Sequence, residues 1–430
     1  MNITIHPSPL HGTIEIPSSK SIGHRHIICA ALAKGESIVD NVSPSEDIEA
    51  TCRVLEELGV AITKNPSTHT GRTTYTISGG IQPLSHAITA DAGESGSTLR
   101  FLIPPSLLSH QSITFTGRGR LVSRPLTPYY DLFDKKGISY ETTDGRLPLT
   151  VQGNLTSGKY ELAGDVSSQF FSGLLFALPL LDGDSHLMST TPLESASYVD
   201  MTLQCLHQHG IIIEKERDGF YSIPGKQQYH EGTYTVEGDY SQAAFWLAAG
   251  IIGRAICCTG LNPHSLQGDR VITDLIRSMG GRIEGETELT AHPSTLSGIV
   301  IDVEDCPDLV PILAVLASCS IGLTHIIHAG RVRLKECDRL HAMATELNAI
   351  GGDIQEEPEG LIIHGVPSFT GGVVNSWNDH RIAMALAIAS QRATGPITIK
   401  DAQCVRKSYP EFWHDFKALG GIIDEEEILP

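Results

Sequence analysis

Positive charge is scarce in this chain: 31 lysines and arginines stand against 50 acidic residues, a net charge of −19 over 430 residues. So acidic a protein makes a poor general binder of nucleic acid or of an anionic membrane surface. Long apolar runs are missing as well. No stretch reaches the roughly 18 residues needed to span a bilayer, and the N-terminus lacks a signal-peptide pattern, so a soluble cytoplasmic protein is expected. The nine cysteines include no CxxC pair, Cys257 and Cys258 being merely adjacent. An odd number without ligand spacing argues for reduced thiols and against structural zinc. The chain does have bulk: with 40% hydrophobic residues it can bury substantial cores, and its length points to two or three domains.

Against this acidic background a few basic residues cluster with hydroxyls. Pro17-Ser18-Ser19-Lys20-Ser21-Ile22-Gly23-His24-Arg25-His26 follows an extended start and precedes the apolar run Ile27 to Ala33. It reads as a strand end, a turn and a helix start, with Ser18 or Ser19 as cap and Lys20, Ser21 and Arg25 in the first turns. Free backbone N–H groups and the positive end of the helix dipole already favour an anion there, so the stretch can hold a phosphate or carboxylate. An ordinary capped helix with solvated charges has the same local pattern. His24 and His26 have no ligand spacing and are read as packing or solvent-facing.

The arrangement recurs. Six segments end a helical pattern with glycine and re-enter an extended one, at Gly59, Gly137, Gly210, Gly280, Gly351 and Gly420, about 70 residues apart. A second helix in each unit has a polar start followed by small apolar residues: Ser18-Ser19-Lys20, Glu94-Ser95-Gly96-Ser97, Asp165 to Gln169, Asp239 to Gln242, Asp305 to Asp308, and Asn378-Asp379-His380-Arg381. Runs such as Phe170 to Leu181 and Ala383 to Ala389 are apolar nearly all round, which predicts buried helices. Solenoid repeats are shorter and lack this two-helix α+β content. Three units wrapping three buried helices would form one domain, and six units two.

These residues resemble a known family, the 5-enolpyruvylshikimate-3-phosphate (EPSP) synthases, over essentially the whole chain. Arg333-Leu334-Lys335-Glu336-Cys337-Asp338-Arg339-Leu340 matches the family's Arg-x-Lys-Glu-x-Asp-Arg signature. Lys20-Ser21 with Arg25, Gly96 with Arg100, Arg124-Pro125, Ser167-Ser168-Gln169, Tyr198, Asp308, Asn378 to Arg381 and Lys407 match in order. The resemblance implies an α+β fold, a two-domain inside-out barrel with three βαβαββ units per domain around buried parallel helices. One domain would hold residues 19–237 and the other residues 1–18 and 238–430, with the active site in the cleft between them.

The implied reaction adds the 5-hydroxyl of shikimate 3-phosphate to C2 of phosphoenolpyruvate while C3 is protonated, and phosphate then leaves. The resemblance implies no metal and no cofactor. It assigns Asp308, Glu336 and Lys20 to proton transfer. Lys20, Ser21, Arg25, Ser167, Ser168, Gln169, Ser195, Tyr198, Asp308 and Lys335 would bind shikimate 3-phosphate; Lys20, Gly96, Arg124, Gln169, Arg339, Arg381 and Lys407 would bind phosphoenolpyruvate. Asp308, at the start of a buried helix, should be kept ionised by the dipole. Glyphosate should compete at the phosphoenolpyruvate site, the protein should be a monomer, and neither nucleic acid nor membrane should be a partner. Cations on both domains should repel across an empty cleft until shikimate 3-phosphate neutralises them.

Three positions depart from the family pattern. Glu94 stands where asparagine is common, placing a negative charge near the implied phosphoenolpyruvate site, and Ser97 replaces threonine. Arg331 stands where some members place an asparagine that contacts the shikimate ring, and that contact is not carried over. The alternatives are the related enolpyruvyl transferase acting on UDP-N-acetylglucosamine and a non-catalytic repeat protein that binds anions. The former carries a cysteine or aspartate in a Cys-x-x-Gly-x-Arg-Pro-like run, whereas Gly117 to Pro125 here has no cysteine.

Overall fold

The computed structural model describes residues 1–69, 71–81 and 83–426. Its α-helices are α1 (Lys20–Leu32), α2 (Glu46–Glu57), α3 (Gly96–Ser106), α4 (Thr127–Lys136), α5 (Gln169–Ala177), α6 (Ala196–Gln208), α7 (Tyr240–Ile252), α8 (Ile272–Ser278), α9 (Val310–Ser318), α10 (Arg339–Ala349), α11 (His380–Ala389) and α12 (Phe412–Ala418). Two compact units result, Ser18–Val236 and Met1–Pro17 with Glu237–Pro430, each with its own hydrophobic core. Among the described residues no helix is long and apolar enough to cross a membrane.

Among the described residues each unit holds three four-stranded sheets. Residues 300–364 give the pattern in full. Val300–Asp302 pairs in parallel with Leu323–Ile327 across α9, and α10 then leads to the hairpin Asp353–Glu357 and Gly360–His364, whose second strand pairs antiparallel with Leu323–Ile327. This is the expected βαβαββ repeat. Two repeats exchange their first strands: Gly12–Glu15, just before α1 in the chain, pairs with Ile256–Thr259 after α7, while Thr233–Thr235, just before α7, pairs with Gly35–Val42 after α1. The N-terminal strand Asn2–His6 completes the last sheet between Ile397–Lys400 and Ile422–Glu426.

The odd-numbered helices are the buried ones. Every residue of α7, α9 and α11 is buried, as is every residue of α3 except Ser97 and of α5 except Gln169. An all-apolar helix can exist only when enclosed, so its unpaired N-terminal N–H groups must find acceptors inside the fold. Ser19, Ser95, Asp239 and Asp379 serve as side-chain caps. The even-numbered helices end at the six periodic glycines, which all have φ between 67° and 101°. Each closes the turn with a bond from the following N–H back to the carbonyl five residues earlier, such as Gly352 N to Leu347 O, a geometry that favours glycine.

One brace fixes α3 against α5. Pro104 has no N–H to give the Arg100 carbonyl, and the Tyr129 hydroxyl takes its place, donating to Arg100 O at 2.7 Å and lying 3.1 Å from Phe170 O. Gly173 makes room, since a Cβ there would stand 2.2 Å from the Tyr129 oxygen. The first turns of α3 and α5, which carry Gly96, Arg100 and Gln169, are thereby held in a fixed relation.

Candidate active site

The unit formed by residues 18–236 carries most of its candidate residues near the starts of α1, α3 and α5, none of which has an acidic residue in its first turn, with Ser195 and Tyr198 at the start of α6 and Arg124 just before α4. Ser19 Oγ caps α1 by accepting from Ile22 N. Lys20, next in the chain, reaches Asp47 at 2.7 Å, with both side chains mostly buried. Asp47 lies in the first turn of α2, and its carbonyl accepts from Thr98 Oγ1 at 3.3 Å. Thr98 also meets Thr51, and Thr51 meets His24, so one chain of hydroxyls ties α1, α2 and α3 together. His24 and His26 are buried, as packing residues would be.

Arg25 is buried. Its guanidinium donates to Ser21 O (2.7 Å), Tyr198 O (2.8 Å) and Thr202 Oγ1 (2.8 Å) and stands over the Phe101 ring. Burial pushes its pKa down to about 10, which leaves it charged at neutral pH. It therefore links Ser21 on α1 to Tyr198 and Thr202 on α6. Ser195, also buried, sits in the left-handed region (φ 53°) just before α6. Gln169 is held at both ends of its amide: Arg100 Nη1 donates to its oxygen (2.9 Å), and its Nε2 donates to Ser97 Oγ (2.9 Å). The serine that replaces threonine at 97 keeps a hydroxyl and uses it. Ser167 Oγ accepts from Gln169 N, and Ser168 is buried beside it.

Gly96 and Arg124 are in direct apposition. A Cβ on Gly96 would lie 2.7 Å from Arg124 Nη1 and 3.0 Å from its central carbon. Glu94 has a different neighbour: its carboxylate lies over the backbone of Gly119, where a Cβ would come within 2.8 Å of it. Gly119 is left-handed, at φ 60°, and so favours the absence of a side chain on two counts.

In the other unit the signature octet builds a single charge network. Glu336 precedes α10, and Arg339 is its first residue. Arg339, 1% exposed, donates Nε to Asp379 Oδ2 (2.7 Å), Nη1 to Asp308 Oδ1 (2.8 Å) and Nη2 to Glu336 Oε2 (2.8 Å). Asp308 is further met by Arg381 Nη2 at 3.1 Å and Lys335 Nζ at 3.4 Å. Burial alone would favour its protonated form, but Arg381, Lys335 and Arg339 outweigh this and hold the carboxyl well below the usual carboxylate range. For Lys335, burial dominates over the attraction of Asp308 and brings its pKa down to about 8. Lys407 is buried and donates to Asn378 O at 2.8 Å.

The geometry changes one expectation. Asp308 lies in a 3-10 turn, Pro307–Leu309, ahead of α9, and three cations at contact distance keep it ionised. The helix dipole, worth roughly 0.3–1 kcal/mol at a terminus, is secondary beside them. Several cations have a counter-charge within their own unit: Asp47 meets Lys20, and Asp308, Glu336 and Asp379 lie among Arg339, Arg381 and Lys335.

Sequence reasoning assigned no role to several participants. Asp47 follows Ser45, the cap of α2, and nothing local to it marks it as the partner of Lys20. Asp379 sits in the Asn378 to Arg381 motif, yet only the fold reveals it as a buried acceptor for Arg339 and for the N–H of Arg381. Arg100, the orienter of Gln169, matches the family pattern but had no role there. Thr202 gives no sequence signal, because its partner Arg25 is 177 residues away.

Among the described residues, six sheets of one pattern around buried helices, with hydroxyls and cations near the helix starts and a carboxylate among cations, define an enolpyruvyl transferase fold. The chain superposes on the enolpyruvyl transferase NikO from Streptomyces tendae with a TM-score of 0.76 and 19% identity over 98% of each chain, a likeness of fold alone. It superposes on EPSP synthase from Acinetobacter baumannii with a TM-score of 0.80 and 27% identity, covering 99% of this chain and 100% of the other. The sequence model for EPSP synthase (3-phosphoshikimate 1-carboxyvinyltransferase) matches residues 5–416, and the chain belongs to that family. Among its relatives, the 3-phosphoshikimate 1-carboxyvinyltransferases of Clostridium kluyveri and Clostridium novyi are 51% and 50% identical. The alignments cover 98% of this chain and 98% of the first relative, and 99% and 98% for the second.

Proposed function

We infer that the protein transfers the enolpyruvyl group of phosphoenolpyruvate to the 5-hydroxyl of shikimate 3-phosphate, releasing phosphate, as a step in the shikimate pathway toward chorismate and the aromatic amino acids. The observation that carries this is the convergence of Lys335 and Arg339, from the signature octet, and Arg381 on the carboxylate of Asp308, with Glu336 on the same arginine. The reaction needs a base for the hydroxyl, an acid for the methylene carbon and cations for two phosphates and two carboxylates. Asp308 is the base, and Glu336, with Lys20 as a relay, supplies the proton to C3. Ser21, Arg25, Ser167, Ser168, Gln169, Ser195, Tyr198 and Lys335 serve shikimate 3-phosphate. Gly96, Arg124, Arg339, Arg381 and Lys407 serve phosphoenolpyruvate, together with Lys20 and Gln169.

Arg25 and Arg339 contribute as much by order as by contact. Arg25 donates to Ser21 O, Tyr198 O and Thr202 Oγ1, and Arg339 to three carboxylates, so each is held in place before a ligand arrives. An arginine already fixed loses little conformational freedom on binding an anion. The cytoplasm is the proposed compartment and the monomer the proposed state. Phosphate release measured with phosphoenolpyruvate plus shikimate 3-phosphate tests the reading. Release with UDP-N-acetylglucosamine in place of shikimate 3-phosphate, or with neither, would overturn it.

Two further results are expected. Lys335 loses its charge as pH rises through about 8, so kcat/KM for shikimate 3-phosphate, which reports the free enzyme, should fall above that pH. Lys335→Arg, charged at all these pH values, should extend the plateau; an alkaline limb that stays in place would assign it to another group. Gly96→Ala must displace the Arg124 guanidinium, given the 2.7 Å approach. The variant should raise KM for phosphoenolpyruvate by about tenfold, the scale of one charge-assisted hydrogen bond. Glyphosate, proposed to bind there as an anionic phosphonate, should be weakened more. Unchanged inhibition would remove Gly96 from the site.

A further inference from the structure

The segment between strand Gly372–Asn375 and α11 contains two consecutive residues in the left-handed region, Trp377 and Asn378, both at φ 54°. Asparagine tolerates that conformation, whereas a bulky aromatic residue there is a true outlier. Such residues persist where the surroundings over-determine them, and this turn is held from several sides. Trp377 Nε1 donates to Glu346 Oε1 at 2.7 Å, and the other oxygen of Glu346 accepts from Asn375 N at 3.0 Å. Trp377 N donates to Asn375 Oδ1 at 2.6 Å, and the His341 ring stands edge-on to the indole. Glu346, on α10, is a buried carboxylate to which the proposed chemistry gives no task.

The turn fixes the geometry of the residues downstream. It directs the Asn378 carbonyl at Lys407 Nζ, 2.8 Å away. It also sets Asp379 at the start of α11, where it accepts from Arg381 N at 2.9 Å and Arg339 Nε at 2.7 Å. Relaxing Trp377 and Asn378 to right-handed or extended backbone would swing that carbonyl away, because the peptide plane turns with φ and ψ.

We propose that Glu346 and Trp377 are positioning residues: the buried carboxylate clamps the left-handed turn, and the turn aims Lys407, through the Asn378 carbonyl, at phosphoenolpyruvate. This rests on the reading of Lys407 as a phosphoenolpyruvate residue. Trp377→Phe keeps a ring and deletes one N–H, and Glu346→Gln keeps the shape and removes the charge. Each should raise KM for phosphoenolpyruvate about tenfold, with KM for shikimate 3-phosphate within about twofold. Because Trp377→Phe deletes one of the two bonds to Glu346 and Glu346→Gln, with a single acceptor oxygen, can keep only one of them, the double variant should lose much less than the product of the single effects.

Lys407→Ala, measured alongside, separates failure of the clamp from failure of the Lys407 assignment. If it leaves KM for phosphoenolpyruvate unchanged, the assignment of Lys407 falls and this inference with it. If it raises that KM while Trp377→Phe and Glu346→Gln do not, the clamp alone is overturned. Equal loss of affinity for both substrates would mark the residues as merely structural and also overturn it. Should either variant fail to fold, Asn375→Ala removes only the exposed acceptor of Trp377 N and must show the same split.

Discussion

Asp308→Asn should lower kcat by about 10²–10⁴-fold, the usual contribution of a positioned acid or base, with the fold intact. Asparagine keeps the shape but has one acceptor oxygen, so it can accept from Arg339 or from Arg381 and not from both, and the loss would report the missing charge and proton acceptor together. The network adds a second signature. Asp308 is the largest influence raising the pKa of Lys335 against the effect of burial. Without its charge Lys335 should titrate below about 8, and the alkaline limb for shikimate 3-phosphate should move toward neutrality. A variant keeping more than about a tenth of wild-type kcat would remove Asp308 from the base role. The strongly depressed pKa also has a mechanistic meaning, since a carboxylate held so acidic is a weak base. Substrate anions arriving among Arg381, Lys335 and Arg339 would offset those cations and raise it, so the base would become effective only in the loaded site. Glu336→Gln should cost a comparable factor, and retention of kcat would return Glu336 to the status of an ion-pair partner for Arg339.

Arg339→Met should have the largest effect on stability. The arginine is 1% exposed and touches Asp308, Glu336 and Asp379, of which Asp379 is fully buried. Removing one partner of a buried pair typically costs about 3–5 kcal/mol, because an uncompensated charge stays behind in a low dielectric. A fall in the denaturant midpoint of that size is expected, together with loss of turnover. In the wild type the depressed pKa of Asp308 adds stability that is present above the unfolded carboxylate range and lost as pH falls through the folded value. The variant lacks one of the cations responsible, so its deficit should be largest near neutral pH and shrink toward acid. A change below about 1 kcal/mol at neutral pH would show that the network is not what holds this region together.

Both predictions depend on residues that the sequence reveals unequally. The octet from Arg333 to Leu340 was readable as a motif, and so were Asp308 and Arg381, but their meeting point was not. Asp308 and Arg381 are 73 residues apart, and nothing local to either says that α9 and α11 start side by side. The same holds for Arg25 and Tyr198, 173 residues apart. Lys20 could be read as an exposed point charge until the fold placed Asp47 against it.

The repeat, the buried helices and the helix ends were legible from the chain alone. Those follow from short-range physics: a glycine accepts the left-handed turn after a helix, a hydroxyl or carboxylate caps a first turn, and an all-apolar helix must be enclosed. Which charges meet, which strand completes which repeat and how far each pKa moves came only with the folded arrangement. Ion pairing, desolvation and strand exchange depend on distances between segments far apart in the chain. Asp308 is held below the usual carboxylate range and Lys335 is a weakened cation because the segments leading into α9 and α10 meet the start of α11.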